Sequence, residues 1–187
     1  MTTTRSFVRG LAAIALFAAL PNVADAAMQA SGKPKVSFFA EGNPGALDIE
    51  GVTNTVTVAD DGTKLVFTVP MKTVKTGIDL RDTHMCDEYV QVAQFPNAVL
   101  TVNKADVQWG ANVGERKEGK VQGTFNIHGV DQPVTVEYST AKSKTGFRVT
   151  GKFSFNTDKS GIAHPTYLGV GVEPDMRAEV TIDLVDA

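Results

Sequence analysis

The sequence predicts an all-β protein of about eight antiparallel strands, closed as a barrel or packed as a sandwich, with one short helical insert between two strands. Three observations predict it. Apolar and polar residues alternate one for one through several stretches, clusters of Asp, Gly and Asn punctuate them, and one charged stretch, residues 76–89, drops that period for a helical one.

The N-terminus is read separately from the fold. Arg5 and Arg9 precede an uncharged apolar run from Gly10 to Leu20, Pro21 breaks it, and Ala24-Asp25-Ala26 places small residues where a signal peptidase needs them. Residues 1–26 are therefore expected to be a secretory signal peptide, with residues 27–187 forming one exported domain. The apolar run is about half the roughly 20 residues of a membrane span. Loss of Arg5, Arg9 and Asp25 takes the formal charge from -3 to about -4. Such mild acidity gives no basic footprint for nucleic acid.

Ala27 to Gly32 reads as a loose lead-in. Val36 with Phe38, Val56 with Val58, Leu65 with Phe67 and Ala98 with Leu100 mark four short strands. The later ones are longer: Val121, Gly123, Phe125 and Ile127; Val134, Val136 and Tyr138; Phe147, Val149, Gly151, Phe153 and Phe155; and Ala178, Val180, Ile182 and Leu184 each present one apolar face. Turns are expected at Asp60-Asp61-Gly62, Gly114 to Gly119, His128 to Asp131 and Lys142 to Gly146. About eight strands of this kind close on themselves to protect their edges. A barrel of that size either fills with side chains or holds one small ligand. Phe38, Phe67, Phe125, Phe153 and Phe155 supply an apolar interior, and Gly123 and Gly151 either leave room for a guest or ease the bending of a full barrel.

More than twenty residues separate the strand ending near Val69 from the one starting at Ala98, which is long for a plain connection. Within them Asp79 is the expected helix N-cap and Asp82 adds negative charge near the helix start. Ile78, Met85, Tyr89 and Val92 recur on one side, with Arg81, His84 and Glu88 on the flank beside it. The expected result is an amphipathic lid across one end, stopped by Phe95-Pro96.

The insert holds Cys86, the only cysteine, which excludes an internal disulfide and reads as a small buried hydrophobe. His84 and Cys86 stand two apart, so a helix points them away from each other and from a shared metal ion. A structural zinc takes four such ligands. The serines lack a nucleophile elbow, so no catalytic residue, metal or cofactor is assigned. Arg81 and His84 are either a solvated, mutually paired face or the group that meets a ligand's polar head, a role that suits the planar fork of arginine. His128 is expected to hold the Gly129 to Asp131 turn, and His164 to lie at the opposite rim, in a plain loop or, with Tyr167, hydrogen-bonding a ligand head group.

Three segments then carry a family resemblance. They are Thr76 to Met85 followed by Phe95-Pro96, Gly123 to Val136, and Phe155 to Ile162 ahead of the closing strand Ala178 to Leu184. In order and spacing they resemble the YceI-like family of bacterial periplasmic proteins. The resemblance implies a lipocalin-like antiparallel barrel with a long apolar cavity, and binding of a polyisoprenoid, quinone or fatty amide without turnover. Phe38, Phe67, Met85, Tyr89, Phe125, Phe153 and Phe155 are the expected cavity residues, with Arg81 and His84 at the head group. A carrier of this kind implies transient contact with the membrane or a membrane protein, and is compatible with a dimer. The alternatives are a lipid-modifying enzyme of the envelope using His84 and Arg81, or a packed barrel that serves as an interaction module. The chain departs from the family pattern at Gly32 to Phe38 and in the short, glycine-rich stretch Glu41 to Val52.

Overall fold

A computed structural model describes residues 27–43, 48–164, 166–167 and 170–186. The expected signal peptide, residues 1–26, lies outside the described residues, as does the side chain of Tyr167.

Alternation produces one curled antiparallel sheet. Its strands are β1 Met28–Asn43, β2 Asp48–Thr53, β3 Thr57–Asp60, β4 Lys64–Pro70, β5 Asn97–Asn103, β6 Arg116–Ile127, β7 Val130–Lys142, β8 Gly146–Asn156, β9 Thr166–Tyr167, β10 Val170–Val172 and β11 Asp175–Asp186. The order across the sheet is β3-β4-β5-β6-β7-β8-β11-β1-β10-β9, with β2 also paired to β1. Inward residues of neighbouring strands meet directly: Phe38 lies opposite Ala178, Ala178 opposite Phe153, and Leu100 opposite both Phe67 and Phe125.

Eleven strands stand among the described residues, where about eight were expected. All eight expected strands are present; the additions, β2, β9 and β10, are short and lack a long alternating run. The lead-in at Ala27 to Gly32 is also corrected. Met28 to Ser31 pairs with Asp183 to Asp186, and the register slips between Ser31 and Lys35, where Pro34 has no N–H to give the ladder. The turn expected over Gly114 to Gly119 ends before Arg116, because Gly119 faces Tyr138 within β6, where an added Cβ would lie 2.8 Å from the Tyr138 hydroxyl.

Because β2 leaves β1 at Thr53, the lower half of β1 faces β3 across a seam with no ladder pair among the described residues. Polar groups join it instead. Met28 N–H donates to Asp60 Oδ2 at 2.9 Å, and Lys104 Nζ meets the same oxygen at 2.9 Å.

The connection between β4 and β5 crosses the end at which β6 turns into β7. It contains α1, Asp79–His84, which widens into a π-helical turn, Met85–Tyr89. Ile78, not Asp79, occupies the N-cap, without a side-chain cap. Asp82 is buried rather than lying on a charged surface. In the π-turn Val90 N–H reaches Met85 O, five residues back. That extra residue per turn carries Val90 inward, to 6% exposure, whereas Ile78, expected on the buried side, is 53% exposed. Met85, Tyr89 and Val92 pack partly buried against the core.

Candidate functional site

The barrel interior contains an apolar cavity of about 80 Å³, walled in part by Phe38, Phe67, Phe125 and Phe153. Its position follows from how the aromatic rings pack. Phe125 lies 4.9 Å from Phe153 and 4.8 Å from Phe155, and Phe38 meets Phe155 edge-on at 6.4 Å. Each buried ring contributes about 1.5–3 kcal/mol by leaving water, and each well-oriented pair about 0.5–1.5 kcal/mol more. These rings fill the barrel toward the insert.

Above them the barrel is packed and fastened. Met71, Val74, Val90 and Ile162 are buried there. Val52 and Lys75 exchange backbone hydrogen bonds of 2.8 and 2.9 Å, and Met71 N–H donates to Pro96 O. Gln132 Nε2 donates to Asn156 O and to Ser160 Oγ, while His128 Nδ1 donates to Ser160 O at 2.9 Å. That last bond gives His128 a role different from the one expected. It ties the β6–β7 turn to the 158–160 turn, with its ring 4.2 Å from Phe95. His164 pairs with Asp158 of that same turn, so it stands at the insert end and not at the opposite rim expected for it.

At the opposite end the cavity is bounded by Val107 and Trp109, from the β5–β6 connection, and by Tyr138 of β7. The connection bends over the mouth because its backbone is satisfied by side chains of β7. Gln108 N–H donates to the Tyr138 hydroxyl at 2.8 Å, and Thr140 Oγ1 donates to Gln108 O at 2.8 Å. Trp109 packs on Phe147 at 4.8 Å, and Lys142 covers the same ring at 4.2 Å. Beyond Trp109, Glu115 accepts from Ala111 and Asn112 N–H and pairs with Lys117 at 2.8 Å. Hydrogen bonding from Lys117 first, then from these two amides, holds its carboxyl down at about 2.

The inward glycines resolve differently from each other. A Cβ at Gly123 would lie 3.0 Å from Thr101 O and Val102 Cγ1, so neighbours already occupy that space. Gly151 borders the cavity, and its Cβ would touch Val180 at 3.3 Å.

Four of the sequence-expected cavity residues, Phe38, Phe67, Phe125 and Phe153, line the cavity; Phe155, Met85 and Tyr89 lie on its insert side. Arg81 donates through Nε to Thr76 Oγ1 and through Nη2 to Thr76 O, both at 2.8 Å. His84 lies 3.9 Å from Glu88, one turn on. Neither lines the cavity. Cys86 is partly buried, which pushes its thiol pKa up. Sequence reasoning placed Tyr138 on an inward face but assigned it no role, and it missed Val107 and Trp109. The sole tryptophan of the chain, in an aperiodic connection, was the available signal.

An up-and-down antiparallel sheet curled around an apolar interior and covered at both ends by its own connections defines the class of lipocalin-like barrels. Residues 35–185 match the YceI-like domain, and the chain belongs to that family. Among solved structures, a polyisoprenoid binding domain from Saccharophagus degradans, implicated in plant cell wall breakdown, is similar at a TM-score of 0.71 and 14% identity, over 87% of this chain and 100% of its own. Burkholderia cenocepacia BcnA is similar at 0.62 and 14%, over 81% and 96%. At these identities the likeness concerns the fold. No curated protein matches the chain.

Proposed function

We propose that this protein is an exported, periplasmic carrier that binds one lipid-like amphiphile, of the polyisoprenoid, quinone or fatty-amide class, within its barrel and without chemical turnover. The observation that carries this reading is the apolar cavity inside a YceI-like barrel, walled by Phe38, Phe67, Phe125 and Phe153. The polyisoprenoid binding of the similar Saccharophagus domain supports the ligand class. Residues 1–26 serve as the export signal.

Binding without turnover is supported by the cavity wall, which among the described residues offers no paired acid and base. Glu179, counted in the wall, pairs with Arg177 at 3.1 Å on the outer face. Arg81 and His84 hold partners of their own.

A cavity of about 80 Å³ is well below the roughly 300–1,000 Å³ of typical small-ligand pockets. A ligand therefore enters by displacing side chains. Each buried CH₂ contributes about 0.8 kcal/mol, so a few isoprene units outweigh the separation of two aromatic pairs at about 0.5–1.5 kcal/mol each. The test is native mass spectrometry of protein purified gently from a bacterial host, together with thermal melting in added decylubiquinone. Retained lipid and a raised Tm are expected; no lipid and no shift reject the carrier.

The same tight aromatic packing favours a second reading, a filled barrel acting as an envelope interaction module. Phe153→Trp separates the two, since its emission responds to added lipid only if the interior opens.

A further inference from the structure

Both ends of the cavity are sealed by packing. Met71, Val74, Val90 and Ile162 are buried at the insert end, and Met28, Phe147, Ile182 and Leu184 at the other, where Lys142 also covers Phe147. Around the side, every pair of neighbours from β3 round to β1 is laddered, and a ladder holds adjacent strands roughly 4.7–4.9 Å apart. The interior can gain width only where the ladder is missing.

That place is the seam between the lower half of β1 and β3. β1 is unsuited to a second ladder there, because Gly32 is left-handed at φ 70°, Pro34 has no N–H, and the register with β11 slips between Ser31 and Lys35. Higher up, β2 takes the same edge from Val36 to Glu41, and Val52 is joined in turn to Lys75 by two backbone hydrogen bonds. Below Val36, the bond from Met28 N–H to Asp60 Oδ2 is the one hydrogen bond that crosses from β1 to β3 among the described residues. Both margins of the seam belong to the cavity wall: Val36 and Phe38 on the β1 side, Val56, Leu65 and Phe67 on the other. Parting them breaks that single bond, whereas parting β6 from β7 or β8 from β11 breaks a run of ladder bonds. The β2 bridge to Lys75 stays in place as the hinge, so the seam opens from its lower end.

Resting on the carrier reading, we infer that the β1–β3 seam is a lateral gate, which parts to admit the amphiphile sideways and stays wider while the chain is held. Asp60 is its latch, fixed in place by the ion pair with Lys104. A long apolar chain enters such a gate along its flank and need not thread its length past either sealed end. Each extra ångström across the seam adds to the small cavity without breaking a ladder.

Gln29 and Ala59 stand beside the latch, one on each margin and both exposed. In a Cys86→Ala background, Gln29→Cys with Ala59→Cys carries two nitroxide labels or, after oxidation, a disulfide across the seam. Gln122→Cys with Thr135→Cys places the same labels on a laddered pair. The probe is decylubiquinone, its binding read by native mass spectrometry and its uptake by quenching of Trp109 in the cavity wall. Loading is expected to weaken the dipolar broadening between positions 29 and 59 and to leave that between 122 and 135 unchanged. The disulfide is expected to slow uptake about tenfold, as for association that waits on a conformational change, and reductant to restore it. Bound decylubiquinone with an unchanged spectrum at 29 and 59 overturns the gate and leaves the carrier reading standing, as does equal uptake by oxidised and reduced protein. No bound decylubiquinone removes both. The label measurement needs no disulfide, and decides the matter alone if that bond does not form.

Discussion

Asp82 shows how one buried carboxylate fixes the insert. Its Oδ1 accepts from Thr76 N–H at 2.8 Å and Thr76 Oγ1 at 2.6 Å, and Lys75 Nζ stands 3.6 Å from Oδ2. Burial opposes its ionisation, yet the Thr76 donors and the Lys75 charge together hold its pKa below the ordinary 3.8. A carboxyl lowered on folding stabilises the folded state above its unfolded value, and that contribution disappears as pH falls below about 3.8 toward the lowered value. Asp82→Ala leaves the Thr76 donors unpaired and is expected to cost about 1–3 kcal/mol in urea unfolding at pH 7. The gap from wild type should narrow at pH 3; an equal gap at both pH values rejects the ionised role. Period-2 spacing made Phe38, Phe67, Phe125 and Phe153 legible as wall residues. The partners of Arg81 and Asp82 were not legible, because Thr76 reaches both only after the chain has doubled back.

At the scale of elements, long strands announced themselves and short ones did not. β6, β7, β8 and β11 each carry several alternations. β2, Asp48–Thr53, places only Gly51 and Thr53 in buried positions and depends on β1 for its pairing. The insert was legible as helical, but the π-turn that brings Val90 inward has no periodic signature. Gly123 tests how full the sheet interior is. Its added Cβ would meet Thr101 O at 3.0 Å and Leu100 Cδ1 at 3.2 Å on the facing strand. Gly123→Val is expected to destabilise by about 1–3 kcal/mol through overpacking, measured by chemical denaturation. A neutral result would show that β5 and β6 move apart freely, contrary to a packed interior.

For the whole molecule, the weak line is the seam between β1 and β3, and a buried charge cluster holds it. The Asp60 side chain is 0% exposed and that of Lys104 7%, with 2.9 Å between them. Asp60 also accepts from Met28 N–H at 2.9 Å and from Gly62 N–H at 2.8 Å. Four segments meet there: the start of β1, the end of β3, the turn into β4 and the connection that leads to Trp109. Burial works to raise the Asp60 pKa, but the Met28 amide, Lys104 and the Gly62 amide together hold it below the ordinary 3.8. The cluster thus stabilises the barrel above that pH and releases it as the carboxylate is protonated below it. Asp60→Asn keeps the shape but removes the carboxylate from the buried pair with Lys104, and breaking a buried pair from one side costs about 3–5 kcal/mol. The loss should be localised as well as large. Hydrogen exchange is expected to rise first at Met28 to Ser31 and at the facing Asp183 to Asp186, before the β6–β7–β8 ladder. Exchange that rises uniformly across the sheet would mean that the cluster adds to global stability without closing the seam.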